Sequence, residues 1–186
     1  MTIAQSLIAL RACLRRFAGN RQGVSAVEFA LMLPIMLTLY LGGVELGDGF
    51  GINFKSTISA RTVADLASQY VTIDNSTMST ILGAATTVVA PYSANNMSVT
   101  VSEVTINNKG VATITWSDSL NGTAHTVGTV ITLPASLQTP NISLIWGEVS
   151  YPYKPQMGYV VTGTITMYQS IFFYPRLSSS VTRVNS

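Results

Sequence analysis

Cysteine, histidine and charge are all scarce in this chain. A single cysteine among 186 residues, Cys13, excludes an intramolecular disulfide and a paired-thiolate zinc site. A single histidine, His125, means that any metal centre or catalytic triad would have to be built on one imidazole. It lies in the polar stretch 117–125, whose Ser, Asp and Asn residues are ordinary turn formers, so a surface loop is the simpler reading. No nucleophile, base and orienting group can be assembled from the sequence, so neither an enzyme, a metal site nor a cofactor is expected. Charged residues make up 10% of the chain while 47% are hydrophobic, against about a quarter charged in an average soluble protein. That balance excludes intrinsic disorder and points to lipid contact or to polarity without charge. The formal charge of +2 is unevenly spread: Arg11, Arg15, Arg16 and Arg21 precede residue 24 without an acid, whereas six basic and eight acidic residues follow. With no Lys/Arg stripe beyond the first 23 residues, nucleic acid is not an expected partner.

What is present is a long apolar run. Residues 24–44 read VSAVEFALMLPIMLTLYLGGV, which as a helix would span about 32 Å, close to a hydrocarbon core. The arginines just before it predict a cytoplasmic N-terminus and an extracytoplasmic remainder. Two residues do not suit a passive anchor. Glu28 places a carboxylate in the run, where it must lie near the interface, be neutralised or be paired. Pro34 removes a backbone donor and crowds the carbonyl of Ala30, predicting a kink. Beyond the span, Gly43, Gly47 and Gly51 recur every four residues; on a continuing helix they form a smooth strip for close helix packing, and together with Gly42 and Gly49 they equally suit a flexible stretch.

Downstream, the spacing predicts an amphipathic stalk helix over 56–70, with Ile58, Val63, Leu66, Ala67 and Tyr70 on its apolar side and Arg61 and Asp65 paired at i,i+4. Asp74-Asn75-Ser76 offers a break and a cap, and Met78, Ile81, Leu82, Ala85, Val88 and Val89 make a second helix that ends before Pro91. From there the period becomes two. A hairpin is predicted with Val99 and Val101 on one strand, Ala112, Ile114 and Trp116 sharing a face of the other, and 107–110 as the turn. Further strands are predicted at 128–133, at 142–153 with Val149, Tyr151 and Tyr153 on one face, and at 160–173, the last apolar enough to be buried on both sides. The aromatics of the C-terminal third, Tyr159 among them, lack basic neighbours and read as core packing in place of a stacking platform. The fold class is α+β: an N-terminal transmembrane helix continuing into a stalk helix, then a small extracytoplasmic domain with a short helix on an antiparallel sheet.

Gly23 followed by Val24-Ser25-Ala26-Val27-Glu28 resembles the prepilin-peptidase site of type IV pilins and pseudopilins. That resemblance implies cleavage between Gly23 and Val24, loss of the leader 1–23, and retention of the helix 24–44 as the assembly element ahead of a stalk (45–70) and a domain (71–186). Cleavage would create an α-amino group on Val24, charged near neutrality. Residues 24 and 28 stand at i and i+4 on one helix face, so Glu28 can neutralise that amine in its own chain or a neighbour's. In the family the corresponding glutamate sets the registration of subunits, and the resemblance implies that role for Glu28. The wider tract 21–34, with its Val-Glu-Phe-Ala core and Pro34, is similar to TadE-like pseudopilins of tight-adherence (Tad, Flp-type) pilus systems. Trp116-Ser117, Asn121-Gly122, the run 148–155 and Tyr174-Pro175-Arg176-Leu177 are similar to that family's later patterns. The plan it implies is pilin-like. Implied partners are a prepilin peptidase, the Tad inner-membrane assembly platform, the major Flp pilin and sibling pseudopilins; the implied location is the bacterial inner membrane with a periplasmic domain, and the implied function is pilus biogenesis and surface adherence. Alternatives are a secretory signal peptide, or an uncleaved anchor, carrying a non-catalytic surface binding domain that acts through its sheet and the loop 117–128.

Overall fold

The computed structural model describes residues 22–156 and 163–184; residues 1–21 of the leader, with Cys13, as well as Tyr159 and the start of the strand expected at 160, lie outside the described residues. The chain divides into two compact units, one ending at Val44 and one comprising Glu45–Ser186. A single helix, α1 (Gln22–Ser68), runs unbroken past Pro34 and through all five glycines of the 42–51 stretch. The Thr38 hydroxyl donates to the Pro34 carbonyl at 2.7 Å. Helical backbone is therefore the outcome for the glycine-rich stretch that the sequence left open.

In the second unit α1 buries a narrow stripe of small residues, Ser56, Ser59, Ala60, Ala64, Ala67 and Ser68, with Ile52 and Val63. This differs from the expected apolar side: Ile58 and Leu66 are only partly buried, and Tyr70 lies exposed beyond the helix end. The stripe is small because strand β5 (Ile142–Tyr153) approaches so closely. A Cβ added at Gly147 would stand 2.6 Å from the Ala60 carbonyl oxygen and 2.9 Å from the Ala64 Cβ, a distance that only a missing side chain permits.

After α1 come β1 (Thr72–Ile73) and α2 (Asn75–Val88). Asp74 caps α2, its carboxylate accepting the Thr77 N–H at 2.7 Å. That bond, with further ones from Thr77 and Ser76, holds the Asp74 carboxyl below its ordinary value. Met78, Ile81, Leu82 and Ala85 form the buried face of α2, as the spacing predicts. The remaining strands are β2 (Ser98–Ile106), β3 (Ala112–Leu120), β4 (Val130–Ile131), β5, β6 (Ile165–Phe173) and β7 (Thr182–Arg183). Five of them form an antiparallel sheet in the order β4-β3-β2-β5-β6, and β1 pairs in parallel with β7. The turn at 107–110 is the expected one: Asn107 Oδ1 accepts the N–H groups of Lys109 and Val111, and Gly110 takes φ +77°.

Three expectations are corrected. First, Ala112 and Ile114 do not share a face with Trp116. Glu103 is opposite Trp116 while Val104 is opposite Ile114, so Thr115 is an extra residue, a β-bulge that flips the strand's alternation. Trp116 joins Val99, Val101, Ile145 and Val149 in the core beneath α1 and α2, whereas Ala112 and Ile114 join Val104, Ile106, Leu144 and Leu133 in a second core on the other side of the sheet. Second, the strand buried on both sides is β2, at the centre. β6 is an edge strand, with Ile165 and Tyr168 exposed at 42% and 53%, because no other described strand pairs with its outer side. Third, Asp65 pairs with Arg176 and not with Arg61. The C-terminal segment brings a tertiary partner to that helix face: the Arg176 N–H also bonds the Ser68 carbonyl at 2.8 Å, closing the end of α1.

Gly147→Ala is expected to destabilise the folded protein by about 1–3 kcal/mol through overpacking against α1. Gly83→Ala, in α2 with open space around the added methyl, is expected to stabilise by about 0.5–1 kcal/mol. Chemical denaturation of both variants checks the opposite signs.

Candidate functional site: an exposed apolar helix and a polar sheet

Two acids lie at core positions of the sheet. Glu103, 2% exposed, sits in β2 beneath the C-terminal segment and accepts the Val181 N–H at 2.8 Å. The Trp116 indole N–H donates to the Val181 carbonyl at 2.6 Å, so the two side chains grip one residue by both of its backbone groups. Burial pushes the Glu103 carboxyl above its ordinary value and outweighs the bond from Val181, which acts in the opposite sense. Arg183 continues the clamp, reaching Asp118 at 2.9 Å and Asn75 at 2.6 Å.

Glu148, 7% exposed, lies on the opposite face in β5. Its carboxylate meets the His125 ring at 2.5 Å through one oxygen and accepts the Tyr168 hydroxyl through the other. Partial burial of the phenol and this bond to Glu148 push the Tyr168 hydroxyl up to about 12. The His125 ring stacks on Trp146 at 4.8 Å, and Trp146 stacks in turn on Phe172 at 5.5 Å. Trp146 is thus stacked between the rings of His125 and Phe172, and of the aromatics read as packing Tyr151 is buried and Tyr153, Phe172 and Phe173 are half-buried, whereas Tyr168 and Tyr174 lie exposed on the edge strand and just after it. His125 is therefore no free loop residue: its backbone N–H also donates to the Ser117 hydroxyl at 3.0 Å, fastening the 121–129 segment to the sheet. Sequence reasoning missed both acids as organising groups. The available signal was parity, since Glu103 falls in step with Val99 and Val101, and Glu148 in step with Leu144 and Trp146.

Among the described residues no group of three His, Cys, Asp or Glu side chains is placed to hold a metal ion. The network around Glu148 is a set of mutually satisfied bonds, a clamp in chemical terms.

The helical stretch of the first unit is different in kind. From Val24 to Tyr40 its large apolar side chains are exposed, Phe29, Leu31, Ile35 and Leu39 among them. Such a surface costs about 25 cal/mol per Å² in water; α1 is long and apolar enough to cross a membrane. Gly23, Val24, Glu28 and Pro34 all lie in α1, Val24 and Glu28 one turn apart and both exposed. Of the glycine strip, Gly43 and Gly47 have open space where a side chain would be, while Gly51 is occupied by the Tyr92 hydroxyl within the same unit.

Residues 23–51 match the family model of TadE-like proteins. No curated protein and no solved structure matches the chain. The TadE-like segment contains Gly23, Val24, Glu28, Pro34 and every glycine of the strip, and ends before the helix reaches its buried small residues. The match suggests a Tad pilus-associated component, and the length and apolarity of the helix suggest membrane anchoring.

Replacing Glu103 with Gln tests its buried state. A carboxyl whose value is raised by folding contributes stability that is fully present below its unfolded value, near 4.5, and is lost as pH rises through the folded value. The thermal midpoint of Glu103→Gln is therefore expected to gain on that of the wild type as pH rises from about 4.5 towards 7. A constant difference across that range would contradict the assignment.

Proposed function

We propose that this chain is a minor pseudopilin of a Tad-type pilus, cut by a prepilin peptidase after Gly23 and acting through its N-terminal helix in pilus biogenesis and surface adherence. The observation that carries the proposal is the placing of Gly23 and Glu28 in an exposed apolar helix inside the TadE-like segment. Orientation follows from the arginines ahead of the span, with the N-terminus cytoplasmic and the Glu45–Ser186 unit periplasmic. Partners in this reading are the peptidase, the inner-membrane assembly platform, the major Flp pilin and sibling pseudopilins.

The chemistry of Glu28 supports it. Because α1 already begins at Gln22, cutting after Gly23 leaves a helix whose first residue carries the new ammonium. Glu28 then stands in the second turn, where the unpaired N–H groups and the ammonium both favour a negative charge. Its carboxylate pairs with the amine of its own chain or with that of an adjoining subunit, and the second pairing removes both charges from lipid while fixing the axial register. Pro34 and the Gly43–Gly47 strip shape the helix for close packing with neighbouring helices.

Intact mass and N-terminal sequencing of the membrane-extracted protein from its native host are expected to show a mature chain that begins at Val24. A start near Glu45, or an intact Met1, would overturn the reading in favour of a signal peptide or a plain anchor. Glu28→Ala is expected to abolish piliation while leaving the thermal unfolding of the Glu45–Ser186 unit unchanged; retained pili would exclude the registration role.

A further inference from the structure

At the end of the sheet beyond α1 and α2, a cavity of about 780 Å³ opens between the 107–110 turn, the start of β5 and the C-terminal segment. Its size suits a small organic ligand. The wall is unusual for its chemistry: it carries the hydroxyls of Thr105, Thr115 and Ser143 and the amides of Asn107, Asn108 and Asn141. Three of these hydroxyls are already aligned, Thr105 Oγ1 lying 2.6 Å from Thr115 Oγ1 and 3.3 Å from Ser143 Oγ. Glu103 lines the same space.

The charges exclude several ligand classes. Arg183 lines the cavity, yet its guanidinium is spent on Asp118, Asn75 and the carbonyls of Ile73 and Val184, leaving little positive charge to offer an anion. Among the described residues of the wall Glu103 is the only acid, too few for a hard divalent cation. Burial already raises its carboxyl, an environment that disfavours net charge. The Thr105, Thr115 and Ser143 hydroxyls bond one another and the Asn107 oxygen accepts from Lys109 and Val111, but an apolar ligand would cover the amides of Asn108 and Asn141 without giving them partners. Hydroxyls that both give and accept, amides that do the same and one accepting carboxylate suit a ligand dense in hydroxyl groups. Trp116, whose N–H is taken by Val181, adds an aromatic carbon surface to the wall.

We infer that this cavity is a binding site for a neutral saccharide, held by the hydroxyls of Thr105, Thr115 and Ser143, the amides of Asn107, Asn108 and Asn141, and the Glu103 carboxyl. This goes beyond the assembly role and does not depend on it, since every residue involved belongs to the Glu45–Ser186 unit.

The test uses full-length protein in phospholipid nanodiscs, free of sugar-headed detergent. Neutral hexoses and disaccharides are titrated by saturation-transfer NMR, with inorganic phosphate and putrescine as charged probes. Binding of at least one neutral saccharide is expected, with tryptophan fluorescence changing in parallel. Thr115→Phe places a large side chain at an exposed position in the wall and is expected to weaken that binding about tenfold or more, the equivalent of 1.4 kcal/mol. Asn108→Ala, at the exposed turn, should weaken it as well, with its unfolding midpoint unchanged. Binding of no saccharide, binding of phosphate or putrescine only, or saccharide binding that survives both substitutions would each overturn the inference.

Discussion

The contact between α1 and β5 at Gly147 sets the terms for the folded unit. A helix and a sheet normally stand far enough apart for large side chains to fill the gap, but here a glycine in the strand meets Ala60, Val63 and Ala64 of the helix. Once that distance is fixed, the rest of the buried stripe on α1 must be small, and it is, with Ser56, Ser59, Ala67 and Ser68 fully covered. The larger volume comes from Met78, Ile81 and Leu82 of α2, Met97 just before β2, and Ile145 of the sheet. The C-terminal segment then closes the end of α1 by the Arg176 bonds to Ser68 and Asp65 and pairs β7 with β1. Close packing makes such a seam intolerant of even one methyl group.

The sheet is buried on both faces at its centre, along β2, yet it is not uniformly apolar. The bulge at Thr115 allows β3 to send Trp116 to one core and Ile114 to the other. At each core margin a carboxylate organises a crossing segment: Glu103 holds the tail at Val181, and Glu148 holds the 121–129 segment through His125 while bonding Tyr168 of the edge strand. A buried acid is tolerated only where its bonds are made, so each clamp ties the correct placement of a loop or tail to the correct packing of the sheet. Hydroxyl pairs across β2 and β3, Thr100 with Ser119 and Ser102 with Ser117, continue this polar lining without any net charge. That explains how so Ser/Thr-rich a chain builds a well-covered sheet with few ionic groups.

The TadE-like match begins on an exposed apolar helix long enough to cross a membrane, while the Glu45–Ser186 unit presents a polar cavity and a strand edge, the outer side of β6, with which no other described strand pairs. Tyr153 and Met167 lie against Gly49, and Tyr153 donates to the Glu45 carbonyl at 3.2 Å, so strands β5 and β6 support the first helical turns of that unit. At Gly51 the Tyr92 hydroxyl fills the place a Cβ would take, a use of glycine distinct from the open positions at 43 and 47.

Local pattern was enough to determine the apolar helix, the Asp74 cap and buried face of α2, the β2–β3 turn and the span of β5, because each depends on residues close together in the chain. The N-terminal tract that carries the TadE-like match was equally legible, since its chemistry is written in consecutive residues of one helix. Tertiary structure alone decided the partner of Asp65, the edge position of β6 and the flip at Thr115. Those outcomes depend on which distant segment arrives, and a bulge is invisible until a partner strand sets the register. The same holds for His125 and for the cavity beside Glu103: their groups are separated by tens of residues in sequence, and only the folding of the tail and the 121–129 segment onto the sheet brings them together.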